Sequence, residues 1–549
     1  MAHVGPLPIL RSEPKDLRLA LVSAGFSLAL LTLLCIFFDP RWETNDDVAM
    51  SMVAHGYGIA AVPSANIVFS NVLWGHLVES IPTIDGVLGY SIATLLVLLI
   101  SSFSIAYLLS KLGVEQWISL LAACVVLCRP ILFPQFTLNA GLLEVSSVLA
   151  LLVYSETKAG WLLIAGAVLS VVAFLIRSQE FALVVLIALP TLWSRALHRD
   201  RRVVIACSVV VLAIIGASVW DHFCYSTPAW RYFATLDATR APFTDFGIAK
   251  KIASDPQLLN RFGYSRNDID LLGSFFFVDP VIFNPDKLRA MVSSLGAGHV
   301  FAGNVAATIA SVGSLVSPEM LPLVALSATL LICAPSFELV GGWFLFLCAL
   351  ISMGFVGRGG LLRVDLPVVA LLCILSIVNF RRQTQNKPAR LGWWRRHLRE
   401  VVLGLATAAM LGATASVLIP QAHRASQHVA EVQAAAAKFP SQVVVVWGGG
   451  LEYESLFPLL ARDAGLRSIR IFPLGVFTYA PFSVGAIEEA RGRGFVSRIR
   501  SERGLLMLAT PEADLLGVWC SERFGGVLKR YMLQGAPLLE IDRYRCVEP

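Results

Sequence analysis

The sequence predicts an all-α polytopic membrane protein of about eleven transmembrane helices, followed by a small C-terminal α/β domain. Two observations predict the membrane part. Of the 549 residues, 56% are hydrophobic and only 15% are charged, and uncharged runs of helix length recur along the chain. A third observation predicts the last domain, because from Gln421 onward short apolar runs alternate with polar helical patterns. We therefore divide the chain into a transmembrane domain, residues 1–420, and an extracytoplasmic domain, residues 421–549.

The apolar runs set the predicted spans. A hydrocarbon core ~30 Å thick needs about 20 apolar residues in a helix that rises ~1.5 Å per residue. Such runs lie at roughly 20–38, 86–110, 115–133, 136–155, 159–176, 179–194, 203–220, 319–335, 338–356, 361–380 and 400–419. Residues 39–85 and 221–297 are then the first and second outer loops. If the N-terminus and the basic segment 381–399 lie on the same side of the membrane, one of the later runs cannot span. We expect the Gly/Ala/Ser-rich run 299–317 to be this one, as an interfacial or re-entrant helix.

Basic residues orient these spans. Arg11, Lys15 and Arg18 precede the first run, and the segment 381–399 carries seven basic residues without one acid. Because cytoplasmic loops are enriched in Lys and Arg, we expect a cytoplasmic N-terminus and an extracytoplasmic C-terminal domain, in the inner or plasma membrane. The net charge of +6 therefore reflects cytoplasmic loops, and nucleic acid is not an expected partner.

Most of the ten cysteines lie inside apolar runs, where a free cysteine behaves as a small hydrophobic residue. Cys520 and Cys546 lie outside these runs, in the C-terminal domain. They would form a disulfide if that domain faces an oxidising compartment, and would otherwise stay as thiols.

Three carboxylates follow the first span: Glu43, Asp46 and Asp47. Carboxylates at a membrane interface can act as a general base, bind a divalent cation or cap a helix. In the capping interpretation, Thr44 or Asn45 caps a short helix whose first turn holds the two aspartates, where the helix dipole favours acids. Adjacent carboxylates also let one stay ionised as a base while the other orients it or a cation, so a Mg²⁺ or Mn²⁺ cofactor is left open.

The order of elements resembles the GT-C superfamily of membrane glycosyltransferases: a first helix, an acidic pair in the first outer loop, an interfacial helix, many spans and an outer C-terminal domain. That superfamily includes oligosaccharyl transferases, protein O-mannosyltransferases and aminoarabinose transferases, and the resemblance covers roughly residues 15–420. It implies that an acid of the first outer loop acts as base or binds metal. This role falls on Asp46 and Asp47, with Glu43 as a weaker third. The stretch 357–367 also resembles an outer-face segment of such proteins.

The resemblance further implies a polyprenyl-phosphate sugar donor and a glycan, lipid or protein acceptor at the outer face of the bilayer. Such a donor has an acidic leaving group, so the site needs a base for the acceptor hydroxyl and cations for the phosphate. Arginine suits the second role, since it stays charged and binds phosphate oxygens bidentately. The candidate substrate-binding arginines are Arg129, Arg177, Arg231, Arg240, Arg358 and Arg363. For Arg129 and Arg177 the alternative is snorkelling to lipid headgroups.

Glu144 lies inside the apolar run 136–154, where an unpaired charge costs about 2.5–3.5 kcal/mol on insertion scales. We expect it to be protonated, paired with Arg129, or facing a watery cavity. The last of these is favoured and makes Glu144 a candidate substrate-binding residue.

Two loop patterns predict local structure. Ser265 and Asp268 form a capping box at the start of a helix that carries the aromatic run 275–277, whose rings could stack on sugars or rest at the interface. The triple glycine 448–450 follows a predicted strand but lacks the Lys-Ser/Thr of a P-loop and the spacing of a dinucleotide fingerprint. A structural turn is therefore predicted there.

The leading hypothesis is an integral membrane glycosyltransferase with a first-loop aspartate as base. A transporter or flippase for lipid-linked or anionic solutes is the alternative, with Glu144 and Arg129 on its pathway, although the sequence lacks the repeat symmetry usual in transporters. A non-catalytic cell-envelope assembly protein, whose outer domain binds a glycan or a partner, is the third hypothesis.

Overall fold

The computed structural model describes residues 14–295, 305–385, 393–437, 439–462, 464–533 and 539–548. Within these residues the chain is mainly helical, and one five-stranded sheet lies near the C-terminus. The predicted fold class, a polytopic helical membrane protein with a small C-terminal α/β domain, is confirmed.

The helices fall into three successive groups. The first group is α1 Pro14–Phe37, α2 Asn45–His55, α3 Val72–Ser80, α4 Gly89–Lys111, α5 Gln116–Leu132, α6 Phe136–Thr157, α7 Gly160–Ile176, α8 Ser178–Ser194 and α9 Arg201–Cys224. The second, in the predicted second outer loop, is α10 Pro228–Thr244, α11 Ile248–Ala253, α12 Pro256–Phe262, α13 Arg266–Gly273 and α14 Pro285–Ser294. The third is α15 Val305–Gly313, α16 Leu321–Cys333, α17 Phe337–Phe355, α18 Leu362–Gln385 and α19 Trp393–Ala436.

Seven of the described helices are long and apolar enough to cross a bilayer. An eighth span results if residues 305–316 and α16, which meet at 81°, count together. Helices α5, α7 and α8 are apolar but have only 17 residues each, about 26 Å of helix. The predicted count of eleven requires these three helices to span as well, and it stays a prediction.

The run 299–317 is only partly described, since residues 296–304 lie outside the described residues. Its described part forms the short helix α15 and a 3₁₀ turn, Ser314–Val316. Neither is long enough to cross a bilayer alone. The bend of 81° before α16 makes this segment a broken span or a re-entrant loop.

One end of the helical bundle, here called the basic end, gathers residues predicted to be cytoplasmic. Lys111 binds Asp16 at 2.8 Å, Lys158 binds Asp200 at 3.0 Å, and Arg382 pairs with Glu156. Arg381 pairs with Glu115 and Glu400. Among the predicted basic residues, Arg11, Lys387 and Arg390 lie outside the described residues. The opposite end, here called the loop end, carries residues 39–85 and α10 to α14.

The C-terminal domain is built on the strands β1 Val444–Trp447, β2 Ile471–Leu474, β3 Leu505–Leu508, β4 Val527–Met532 and β5 Ile541–Val547. Four helices connect them: α20 Tyr453–Leu456, α21 Val484–Ala490, α22 Phe495–Arg500 and α23 Ala513–Phe524. The sheet order is β2-β1-β3-β5-β4, with β1 parallel to β2 and β3, and β5 antiparallel to β3 and β4. A disulfide between Cys520 and Cys546, with Cα atoms 5.8 Å apart, ties α23 to β5.

Strand β1 is buried on both faces, which explains its uninterrupted apolar sequence. Side chains alternate along a strand, so Val444 and Val446 join a core with the first outer loop, whereas Val445 and Trp447 join a core with α10 to α14. A backbone hydrogen bond from the N–H of Leu459 to the carbonyl of Pro40 (3.1 Å) extends the first contact. The two outer loops therefore enclose the sheet domain.

Helix α19 has 44 residues and continues without a break past residue 420, where we place the boundary between the two domains. It connects the membrane part directly to the sheet domain, since β1 begins at Val444.

Candidate functional site

Helix α2 carries the acidic pair at the loop end of the bundle. It ends at His55, because Gly56 adopts the left-handed conformation (φ 70°) and donates its N–H to the carbonyl of Met52. The predicted side-chain cap is wrong: the Thr44 side chain makes no capping hydrogen bond. The Asn45 Oδ1 instead accepts from the backbone of Tyr453 at 3.0 Å, so it joins α2 to the C-terminal domain.

Asp47 is fully buried and faces the helical bundle. Its Oδ1 accepts from the Tyr90 hydroxyl and from the backbone N–H of Phe136, both at 3.0 Å, and thereby holds the N-terminus of α6. Burial, and then the neighbouring Asp46 charge, raise the pKa of Asp47 well above its usual range. This carboxyl group therefore links α2 to α4 and α6 and is not exposed at the surface.

Asp46 faces the other way. Its side chain is 37% exposed, and its Oδ2 lies 3.4 Å from Nη1 of Arg363. Burial raises the pKa of Asp46, while the charges of Arg363 and Arg177 act against that rise. Consecutive residues of a helix are ~100° apart, so the two aspartates do not share one surface. Asp46 alone of the pair is accessible.

Three of the predicted arginines gather near Asp46. Arg177 donates from Nη1 to the carbonyl of Phe69 at 3.0 Å and stacks over a phenylalanine ring, and it interacts electrostatically with Asp46, Arg358 and Arg363. Arg358 is 48% exposed and binds Asp245 at 3.0 Å. Arg358 precedes α18 and Arg363 lies in its first turn, so the stretch 357–367 lies at the loop end.

The remaining predicted site residues are engaged elsewhere. Glu43 and Arg129 bind each other at 2.7 Å, so the alternative in which Arg129 pairs with Glu144 is wrong. Glu144 is 2% exposed and accepts from Ser170 inside the bundle, which corrects the prediction that it faces a cavity. A partner from the next helix satisfies it instead.

The arginines of α10 differ from each other. Arg240 is buried between Asp237 and Asp245, and it shares the Asp245 carboxylate with Arg358. Its guanidinium also lies over the ring of Phe275, 5.9 Å from the ring centroid. Arg231 is exposed on the same helix. The burial of Arg240 in an ion-pair set corrects the prediction that it contacts substrate directly.

Sequence reasoning missed two buried acids near Arg177. Glu180 is 2% exposed and Asp365 is 1% exposed, and they interact electrostatically with each other. One oxygen of each has no hydrogen-bond partner among the described residues. Both are acids within apolar runs, so the reasoning applied to Glu144 would have found them.

The capping box of Ser265 and Asp268 is confirmed. The helix it opens ends at Gly273, however, so the aromatic run 275–277 follows the helix instead of lying on it. Phe276 is buried against Trp447 in the core, whereas Phe275, at φ 67°, lines a cavity. Positive φ in a bulky residue is strained and is often found at functional sites.

Two cavities meet at Phe69. One, of about 240 Å³, lies between Asp46 and the ends of β1 and β2. The other, of about 500 Å³, is lined by Arg177 and by polar residues of α9, including Asp221 and His222. Val68, which lines the larger cavity, also has a positive φ of 71°. Strained backbone therefore borders each cavity.

No group of three or more His, Cys, Asp or Glu side chains in the described part of the chain is placed to hold a metal ion. Magnesium is often bound through one or two carboxylates together with substrate phosphates. Metal binding through Asp46 thus stays a prediction, with Asp47 turned toward Tyr90 and Phe136.

The fold and the site define a polytopic membrane protein with an accessible carboxylate and several arginines at the loop end of its helical bundle, covered by an α/β domain. The chain matches no protein-family model and no curated protein sequence. Among solved structures it is similar to ArnT from Cupriavidus metallidurans in the apo state, with 15% identity and a TM-score of 0.38. That similarity covers 96% of this chain and 98% of that chain.

Proposed function

We propose that the protein is a GT-C-type membrane glycosyltransferase that transfers a sugar from a polyprenyl-phosphate donor to an acceptor hydroxyl at the extracytoplasmic face. The observation that carries this proposal is the position of Asp46, whose side chain is 37% exposed at a cavity and lies 3.4 Å from Arg363. A base and a phosphate-binding cation are the two groups such a transfer needs.

In the proposed reaction, Asp46 takes the proton of the acceptor hydroxyl as its oxygen bonds to the anomeric carbon. The bond between that carbon and the phosphate oxygen breaks, and polyprenyl phosphate leaves with the electron pair. Arg363 and Arg177 would stabilise the leaving phosphate, with Arg358 at the rim. A base works best when its pKa lies near the working pH, and burial raises the pKa of Asp46 in that direction.

Two features support an extracytoplasmic site. The C-terminal domain carries the Cys520–Cys546 disulfide, and disulfides persist in oxidising compartments. Basic residues gather at the opposite end of the bundle, as expected for cytoplasmic loops. The inner or plasma membrane remains the proposed location.

The transport alternative gains no support from the described geometry. It requires Glu144 and Arg129 to line a path, but Glu144 is bonded to Ser170 and Arg129 to Glu43. The assembly-protein alternative predicts that Asp46 can be replaced freely.

The test is release of polyprenyl phosphate from polyprenyl-phosphate sugars by the purified full-length protein, followed by mass spectrometry. Asp46→Asn is expected to abolish acceptor-dependent release while the protein stays folded. Full turnover by Asp46→Asn would refute the assignment of the base, and no release by folded wild type from any donor would refute the enzyme proposal.

A further inference from the structure

We propose that the glycines at the ends of β1 and β2 form the acceptor subsite opposite Asp46, and that this subsite takes a neutral, hydroxyl-bearing ring. The inference rests on the proposed function and assigns a direct role in substrate binding to the C-terminal domain. It concerns the cavity of about 240 Å³ that Asp46, Gly448, Gly449 and Gly475 share.

The sheet topology places these glycines together. Strands β1 and β2 are parallel, and Gly448 and Gly475 directly follow their last residues. The N–H of Gly448 donates to the carbonyl of Leu474 at 2.8 Å, which joins the two strand ends. Since β2 and β3 lie on opposite sides of β1, the chain reverses its direction of winding at β1. In α/β sheets, ligands bind at the carboxyl ends of strands near such a reversal.

The glycines keep the cavity open. A Cβ at Gly449 or Gly475 would meet no atom within 4 Å, so packing does not require glycine at either position. Gly448 differs, because its φ of 51° is one that side chains rarely adopt. The absence of a side chain at Gly449 therefore keeps the space in front of Asp46 open. It also leaves backbone groups available for hydrogen bonding.

The lining chemistry indicates the class of ligand. Asp46 is the only charged side chain among the described residues that line this cavity. An anionic group would face this carboxylate without a lining cation, which is unfavourable in a site of low dielectric. Aromatic side chains, including Phe275, Phe477 and Tyr453, supply flat apolar surfaces for the faces of a ring. Its hydroxyl groups would then face Asp46 and the glycine backbone.

Substituting Gly449 by tryptophan tests the subsite, because a Cβ at this position meets no atom within 4 Å. The matched control is Gly517→Trp on α23, in the same domain, where a Cβ also meets nothing within 4 Å. We expect Gly449→Trp to raise the KM for the acceptor at least about tenfold. Gly517→Trp should leave that KM, and the slow hydrolysis of the donor by water, unchanged.

The ligand class is tested with a neutral methyl glycoside and its uronic acid counterpart. Saturation-transfer NMR on the full-length protein in lipid nanodiscs should detect the neutral compound with wild type and with Gly517→Trp, but not with Gly449→Trp. This readout does not depend on turnover, so it separates failure of the subsite from failure of the proposed reaction. Equal binding by Gly449→Trp, or a preference for the uronic acid, would overturn the inference.

Discussion

The two ends of the helical bundle use charge in different ways. At the basic end, charged residues form ion pairs, such as Lys111 with Asp16 and Lys158 with Asp200. At the loop end, Asp46 has Arg363 at 3.4 Å and the charge of Arg177 nearby, and it also borders a cavity. Two charges that pair with each other are not available to bind a ligand. A carboxylate beside both arginines and a cavity can take a proton from a hydroxyl group in that cavity, while the arginines, which do not line the cavity, bind an anion.

Of the variants that test this comparison, Asp46→Asn is expected to have the largest effect on the transfer rate. The amide keeps the size of the side chain but cannot accept a proton, so transfer should fall by about 10²–10⁴-fold. The measurement is acceptor-dependent release of polyprenyl phosphate at saturating donor. Thermal unfolding of the same sample should be unchanged, and a rate within a few-fold of wild type would show that Asp46 is not the base.

The next largest effect on the transfer rate is expected for the cation beside Asp46, Arg363. Arg363→Gln removes the guanidinium nearest Asp46, so transition-state stabilisation should fall and the rate should drop by about 10²-fold. Arg363→Lys should recover part of the rate, since it restores charge without the bidentate geometry. Lys111→Gln at the basic end is the matched control and should leave the rate unchanged. Equal effects of Arg363→Gln and Lys111→Gln would contradict the proposed difference between the two ends.

The pH dependence sharpens the comparison further. Burial raises the pKa of Asp46 above its usual value, so the rate should rise as pH increases through that raised pKa and fall as pH decreases below it. The charge of Arg363 opposes this rise, so Arg363→Gln should move the acidic limb of the rate profile to higher pH. A limb that moves to lower pH, or does not move, would contradict the electrostatic assignment.

Asp47 should affect stability more than chemistry. Replacing it by alanine leaves the Tyr90 hydroxyl and the N–H of Phe136 without their buried acceptor, at a cost of about 1–3 kcal/mol. Chemical denaturation of Asp47→Ala against Asp47→Asn would measure this, because the asparagine keeps an acceptor oxygen. Equal stability of the two variants would show that these hydrogen bonds do not hold α6.

The smallest effect is expected for the ion pairs of the basic end. Asp16→Asn breaks one pair with Lys111, and such partly exposed pairs contribute about 0–1 kcal/mol. Its unfolding midpoint should therefore change little, and less than that of Asp47→Ala.

Sequence reasoning predicted the features that follow from local composition. Uninterrupted apolar runs predict membrane helices, because a spanning helix satisfies its own backbone within the bilayer. The valine run of β1 and the end of α2 at Gly56 are likewise local. Strand β4 escaped detection, since its side chains are mostly exposed and its sequence, Val-Leu-Lys-Arg-Tyr-Met, lacks a buried pattern.

Partners of charged residues were harder to predict because the tertiary fold selects them. Arg129 binds Glu43, 86 positions away in the chain, instead of Glu144. The different surroundings of Asp46 and Asp47 also depend on α4, α6 and α18, which the sequence near these aspartates does not reveal. The proposed roles of the site residues stay predictions until the variants are measured.

The length of α19 has a consequence for the size of molecules that can reach Asp46. Its apolar and following residues, Leu398–Ala436, form a helix of 39 residues, or about 58 Å, of which the hydrocarbon core takes ~30 Å. A continuous helix of this length acts as a spacer and sets the height of Gly448, Gly449 and Gly475 above the lipid surface. An acceptor anchored in the membrane would then react only if its reactive group extends just far enough from the anchor to enter between α2 and the sheet.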